Sequence, residues 1–278
     1  MAAISAESVK ALRDKTNAPM MDCKAALIKA DGDMEKAIQI LREENKAIQT
    51  KKGDREAAEG RIAAFIDDAK QVGAVIEVRC ESAPVAKSEQ FTALCAQLAK
   101  QVALENPKNV EELLAQKFVD DKSKTVNDLV GDVIGLIREN MKPARFIRLT
   151  GGHMGAYIHH TGDVGVMLQV EGEKNNADIL RDVCLHITAC NPVAATRDDV
   201  DAAVVEKEKE IARTQAASTG KPANIVEKIV EGKMKTWFGE NVLLEQPFVK
   251  DDKKTVGDLL KGAGLKLVKY VRLKVGEK

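Results

Sequence analysis

Aromatic side chains are scarce in this 278-residue chain, which has six Phe, two Tyr and one Trp. Proteins that hold single-stranded nucleic acid stack bases on aromatic rings, so the scarcity weighs against that class. Net charge is missing as well. Lys plus Arg and Asp plus Glu both number 43, whereas phosphate binding ordinarily leaves a basic footprint. A local basic patch is still compatible with that balance. No apolar run approaches the roughly 18 residues of a membrane span. The N-terminal stretch MAAISAESVKALRDK is amphipathic, not a charged head followed by an apolar run. The five cysteines (Cys23, Cys80, Cys95, Cys184, Cys190) are odd in number and form no CxxC pair. That pattern fits reduced thiols in a cytosolic protein. The expectation is a soluble, cytoplasmic protein with no membrane partner, no direct nucleic-acid partner and no cofactor.

What the chain does have is a sentence written twice. Residues 118–130 read FVDDKSKTVNDLV and residues 248–260 read FVKDDKKTVGDLL, with eight of thirteen positions identical. A short basic-apolar segment follows each copy, Phe146-Ile147-Arg148-Leu149 and Tyr270-Val271-Arg272-Leu273. So long a period is not a solenoid; it predicts two copies of one small α/β unit. No catalytic group sits in the repeat in a workable arrangement, which makes it scaffold.

The rest of the chain arranges itself around the repeat. Residues 1–45 carry three short helical patterns, with breaks at Asn17-Ala18-Pro19 and at Asp31-Gly32-Asp33, where Gly32 suits a left-handed position and Asp33 a cap. Residues 46–60 have no continuous apolar face and read as a charged linker. From 61 to 150 the pattern is a hairpin (Ile62, Ala64, Ile66, then Val75 to Val78), helices at about 89–105 and 125–140, and a strand from Ala144 to Leu149. Residues 151–192 and 243–278 repeat that order. Their hairpin strands are Gly155 to His160 and Gly165 to Val170, their helix is lined by Ile179, Val183 and Ile187, and their closing strand runs Lys269 to Val275. Residues 193–242 interrupt the second copy as an antiparallel helical hairpin, with a stripe of Val200, Val204, Ile211 and Gln215 on one arm. The opposite arm carries Ile225-Val226, Ile229-Val230, Met234 and Trp237-Phe238, and the turn is Ser218 to Pro222. The fold class is α+β.

Local chemistry is thin. Thr219-Gly220-Lys221 lacks the glycine five positions before the Gly-Lys pair and the hydroxyl after it that a phosphate loop needs; those places hold Gln215 and Pro222. His159 and His160 lie next to each other on an apparent strand, so their side chains should face opposite ways and cannot readily share a metal. No serine, cysteine or carboxylate pair has a spacing that suggests nucleophilic or acid–base catalysis.

A resemblance then supplies the function. The run Thr16-Asn17-Ala18-Pro19-Met20-Met21-Asp22-Cys23-Lys24-Ala25-Ala26-Leu27 resembles a motif of the bacterial elongation factor Ts family. Two further stretches match in the same order: Gly220-Lys221-Pro222 through Glu227 to Met234, and Gln246-Pro247-Phe248-Val249. The likeness covers essentially the whole chain. It implies a non-covalent guanine-nucleotide exchange factor for the GTPase elongation factor Tu. The N-terminal helices would form a ubiquitin-associated-like domain docking through Pro19, Met20, Met21, Asp22, Cys23 and Lys24. It further implies that the duplicated units form a core and that the arm reaches along the partner or to a second copy of the chain.

Two departures stand out. Where the family carries Thr-Asp-Phe-Val, a segment that pushes towards the partner's Mg²⁺ region, this chain has Ser82-Ala83-Pro84-Val85. A buried Phe is worth about 1.5–3 kcal/mol, so the loss predicts a release rate lower by about ten- to a hundredfold, with Pro84 as a smaller, rigid wedge. Exchange is then expected to lean on His159, which matches a family histidine near the partner's phosphate loop. The chain also ends at Lys278, where many relatives continue with one more partner-contacting helix, so that contact is expected to be missing. The competing reading is a GTPase-binding scaffold with little exchange activity. An RNA-binding protein is disfavoured by the charge balance and the few aromatics.

Overall fold

A computed structural model describes residues 4–173, 176–218, 220 and 222–277. The chain divides into two compact units. The first comprises the described residues within Met1–Thr150, Ile158–Gly165 and Leu273–Lys278, and the second Gly151–Tyr157 and Val166–Arg272. Both mix helices with small sheets, an α+β architecture.

In the first unit, helices α1 (Ala6–Thr16), α2 (Met20–Lys29) and α3 (Met34–Lys52) enclose a core of Val9, Leu12, Cys23, Ala26, Leu27, Ala37 and Leu41. The breaks fall where the sequence puts them. Asn17 closes α1 in the left-handed region, and the Asp33 carboxylate caps α3 by accepting from the Lys36 amide. The expected linker is corrected in its first half: residues 46–52 belong to α3. Strand β1 starts at Glu59, which leaves only 53–58 as connection. Ile48 packs against the core of the first unit, and polar contacts add to that hold. Asn45 donates to Asp132 at 3.2 Å and Gln49 to Asn127 at 2.9 Å.

Strands β1 (Glu59–Asp67) and β2 (Val72–Cys80) pair antiparallel, and a short helix α4 (Ala83–Ala86) follows. Helix α5 (Glu89–Glu105) buries Phe91, Leu94, Cys95, Leu98 and Val102, the spacing of one helical face. After α6 (Val110–Ala115), strands β3 (Lys117–Phe118) and β4 (Asp121–Thr125) form a miniature hairpin that leads into α7 (Val126–Ile137). Strand β5 (Met141–Thr150) completes a sheet ordered β1-β2-β5. Beneath it, Glu77 is fully buried. It accepts from Arg145 Nε at 2.7 Å and from the Gly276 amide at 3.1 Å, which draws the chain's last residues into this unit.

The second unit repeats the plan. Strands β6 (His153–Ile158) and β7 (Val164–Gly172) form the hairpin, and α8 (Ala177–Cys190) buries Leu180, Val183, Cys184, His186 and Ile187. The arm follows as α9 (Ala202–Ala217) and α10 (Ala223–Asn241). Of its expected turn, Thr219 and Lys221 lie outside the described residues. Strands β8 (Pro247–Phe248) and β9 (Asp251–Thr255) lead into α11 (Val256–Gly262), and β10 (Leu265–Lys274) closes a sheet ordered β10-β7-β6. The repeated sequence is therefore a two-residue strand, a tight turn, a returning strand and a helix start. Thr125 with Asp128 and Thr255 with Asp258 form equivalent capping boxes. Bonds from the Thr255 amide and hydroxyl hold the Asp258 carboxyl below its usual range.

The arm's contact stripe is corrected by one residue. Its interface is Val205, Ala212 and Ala216 against Val226, Ile229, Val230, Met234, Trp237 and Phe238. Val204 and Ile211, both 41% exposed, face away, and Val200 precedes the helix. Alanine wins the interface because small residues let two helix backbones approach closely.

Candidate partner interface

Three patches of the first unit carry the residues that sequence reasoning singles out. The first is α2. Pro19 is its N-cap residue and, having no side-chain acceptor, makes no capping bond. Met20 and Met21 are 44% and 73% exposed and Ile28 is 50% exposed, while Lys24 also faces solvent. Met21, Lys24 and Ile28 are spaced to share one helix face, so apolar surface lies bare beside a charge. Asp22 instead pairs at the surface with Arg138 Nη2 at 2.6 Å. Cys23 corrects the expectation of a partner contact. It is wholly buried in the bundle core, its Sγ lies 3.5 Å from the Ala18 carbonyl, and burial pushes its thiol up. Its part is to pack α2 against α1.

The second patch is the turn after β2. Ala83 and Pro84 are exposed, Val85 is half-buried, and Ser82 sits at the helix start in extended conformation. Pro84 stands in the first turn of α4, where an amide has no helical partner anyway. The Ser82 hydroxyl caps nothing; it donates to Glu139 Oε1 at 2.6 Å, and its amide donates to Oε2 at 3.1 Å. At the far end the Ser88 hydroxyl donates to the Val85 carbonyl at 2.8 Å. Behind the turn, burial and then the Glu139 carboxylate push the Cys80 thiol up to about 12, leaving it an inert packing group.

The third patch is the loop from His159 to Asp163. Here the strand assignment is corrected: β6 ends at Ile158, and both histidines occupy the turn. The His159 amide donates to the Val164 carbonyl at 2.9 Å, and the Gly162 amide returns to the His159 carbonyl at 2.8 Å. Gly162 has φ +83°, and a Cβ there would lie 2.5 Å from the Arg61 guanidinium, so the turn requires glycine. The two imidazoles are neighbours, not on opposite faces, with centroids 4.2 Å apart. The Ile62 amide donates to Gly162 O at 2.8 Å and the Val275 amide to Asp163 O at 2.8 Å, seating the loop in the first unit.

The structure joins two of these patches through residues that sequence reasoning missed. Arg138 holds Asp22 of α2, and its neighbour Glu139 holds Ser82. No motif marks them; the signal was a polar Arg-Glu-Asn triplet between a helix end and a strand. His159 belongs to the same compact unit but not to that chain of bonds. Among the described residues, no group of three or more His, Cys, Asp or Glu side chains could hold a metal, and no helix is long and apolar enough to cross a membrane.

Comparison with known proteins bears on its identity. The family profile described as Elongation factor TS matches residues 81–277. The proteins named Elongation factor Ts from Clostridium kluyveri and Clostridium botulinum are each 41% identical over 285 residues, covering 99% of this chain and 93% of theirs. The protein of that name from Trichlorobacter lovleyi is 40% identical over 290 residues with the same coverage. With the motifs of α2 and the arm in the family's order and the likeness running end to end, the chain belongs to the elongation factor Ts family of translation elongation factors.

Proposed function

We propose that this chain binds the GTPase elongation factor Tu in its GDP form and promotes release of GDP and its replacement by GTP. The observation that carries this reading is the bare apolar face of α2, Met20, Met21 and Ile28, on a bundle whose other large apolar groups are packed inside. Such a face on a family member calls for a protein partner. Pro19 and Lys24 frame it. The turn Ser82–Val85 then meets the partner near its Mg²⁺ site, and His159 meets it near the phosphates.

The mechanism is coupling, not covalent chemistry. Binding favours a GTPase conformation in which the Mg²⁺ and phosphate contacts are loosened, and by linkage bound nucleotide weakens the factor's own binding by the same ratio. Whichever nucleotide is in excess refills the site.

A second reading has its own observation. Ala83 and Pro84 offer neither a carboxylate nor an aromatic ring to the partner, which favours a scaffold that binds the GTPase with little exchange. One measurement separates the two: release of fluorescent GDP from elongation factor Tu across a range of concentrations of this chain. Release that accelerates and saturates is the expected result. Saturable binding with GDP leaving at its spontaneous rate would establish the scaffold.

A further inference from the structure

Glu139 stands at a corner fixed from several sides, all within the first unit. Arg138 ends α7 in the left-handed region (φ +67°), with its amide bonded to Ile134 O at 2.7 Å. Its carbonyl accepts from Lys52 at the end of α3, and its guanidinium holds Asp22 of α2 at 2.6 Å. Asn140, on the other side, is buried and donates to the Gly53 and Arg55 carbonyls at 3.2 and 2.7 Å. The Asn140 amide donates to Glu81 Oε1 at 2.6 Å, while Glu139 accepts both protons that Ser82 offers. The pairs 81–82 and 139–140 are thus clasped reciprocally, each lending a carboxylate to the other.

The clasp has a consequence for the exposed turn. A serine at the start of a helix ordinarily accepts from the helix's own amides, but the Ser82 hydroxyl makes no such cap and points its proton at Glu139. With Pro84 contributing no amide, α4 is held from outside by Glu139 at one end and by Ser88 at the other. Charge-assisted bonds to both oxygens of one carboxylate fix direction as well as distance.

We propose that Glu139 is a positioning residue for nucleotide release: it holds the Ala83–Pro84 step in the attitude that meets the GTPase, and Arg138 beside it registers the α2 face against the same turn. This rests on the exchange reading above. The turn carries no large side chain of its own, so its action depends on rigid placement more than a turn bearing Phe would.

The test is GDP release from elongation factor Tu with the full chain, reading the maximal rate and the half-saturating concentration separately. Glu139→Ala should lower the maximal rate about tenfold, with the half-saturating concentration within about twofold of wild type, because α2 still docks. Glu139→Gln should recover most of the rate, since its amide oxygen can accept from the Ser82 amide and its NH₂ can donate to the hydroxyl. A Glu139→Ala chain releasing GDP at the wild-type maximum overturns the proposal. So does a Gln variant as slow as Ala, or a loss of rate and affinity by one common factor. Should Glu139→Ala not fold, Ser82→Ala removes a single bond and carries the same readout: a lower maximal rate at unchanged half-saturation supports the role, and a wild-type rate ends it. A wild-type chain that leaves the spontaneous rate unchanged refutes the exchange reading itself, an outcome distinct from every variant result.

Discussion

His186 and Gln101 do the same job in the two units with different chemistry. Gln101 Oε1 accepts from the Val119 amide at 2.7 Å while its Nε2 donates to Gln116 Oε1 at 3.1 Å. In the second unit His186 Nδ1 accepts from the Val249 amide at 3.2 Å, and Nε2 faces Gln246 Oε1 at 3.0 Å. That pattern requires the neutral tautomer with its proton on Nε2. Burial pushes the His186 pKa below its ordinary 6.5, against a smaller raising effect from Gln246. The unfolded chain therefore binds a proton more readily than the folded one. Its contribution is complete above about pH 6.5 and is lost as pH falls through the window below. Urea unfolding from pH 8 to pH 5 should show this decline, and His186→Gln, which copies the Gln101 arrangement, should flatten it within that window. An unchanged slope would mean that His186 takes up its proton without leaving the fold.

Elements depart from the sequence reading where a face is polar or a contact is small. Helix α3 was legible to about residue 45 because its apolar period stops there. Its last two turns lie against α7, where Gly131 and Gly135 leave no side chain in the way. A Cβ at Gly135 would lie 2.1 Å from Asn45 Oδ1, and one at Gly131 would lie 3.1 Å from Gln49 Oε1. Amides against glycine backbone and a single apolar residue, Ile48, give no hydrophobic period, so the pattern of 46–52 announced no helix. The arm fails in the opposite way: large apolar residues at heptad spacing drew the stripe to Val204 and Ile211, while Ala212 and Ala216 make the contact. The corrected face predicts that Ala216→Lys costs the hairpin about 3 kcal/mol or more, whereas Ile211→Lys stays within about 0.5–1 kcal/mol. Hydrogen exchange of α9 and α10 amides reads this directly. Similar protection in both variants would restore the first stripe.

For the whole molecule, the duplicated segments fold alike, each leading into a helix start with a capping box, and the proposed working surface lies where the copies differ. The exchange reading makes a graded prediction at this scale. Replacing Ser82-Ala83-Pro84 by Thr-Asp-Phe keeps a hydroxyl for Glu139 and adds the carboxylate and ring that the family carries. It should raise the maximal rate of GDP release from elongation factor Tu by about ten- to a hundredfold. An unchanged or slower rate would remove the wedge from the mechanism.

The sequence by itself determined the α+β class and the family. Each depends on neighbours in the chain: helical and strand periods and contiguous motifs. Only the tertiary structure decided that Cys23 is core while Met21 is surface, that His159 and His160 share a turn, and that Glu139 holds Ser82. Those contacts join residues far apart in sequence, and the spacing of a pattern carries no information about which distant carboxylate reaches a given hydroxyl. The fold selects it by bringing a helix end and a strand end to one corner.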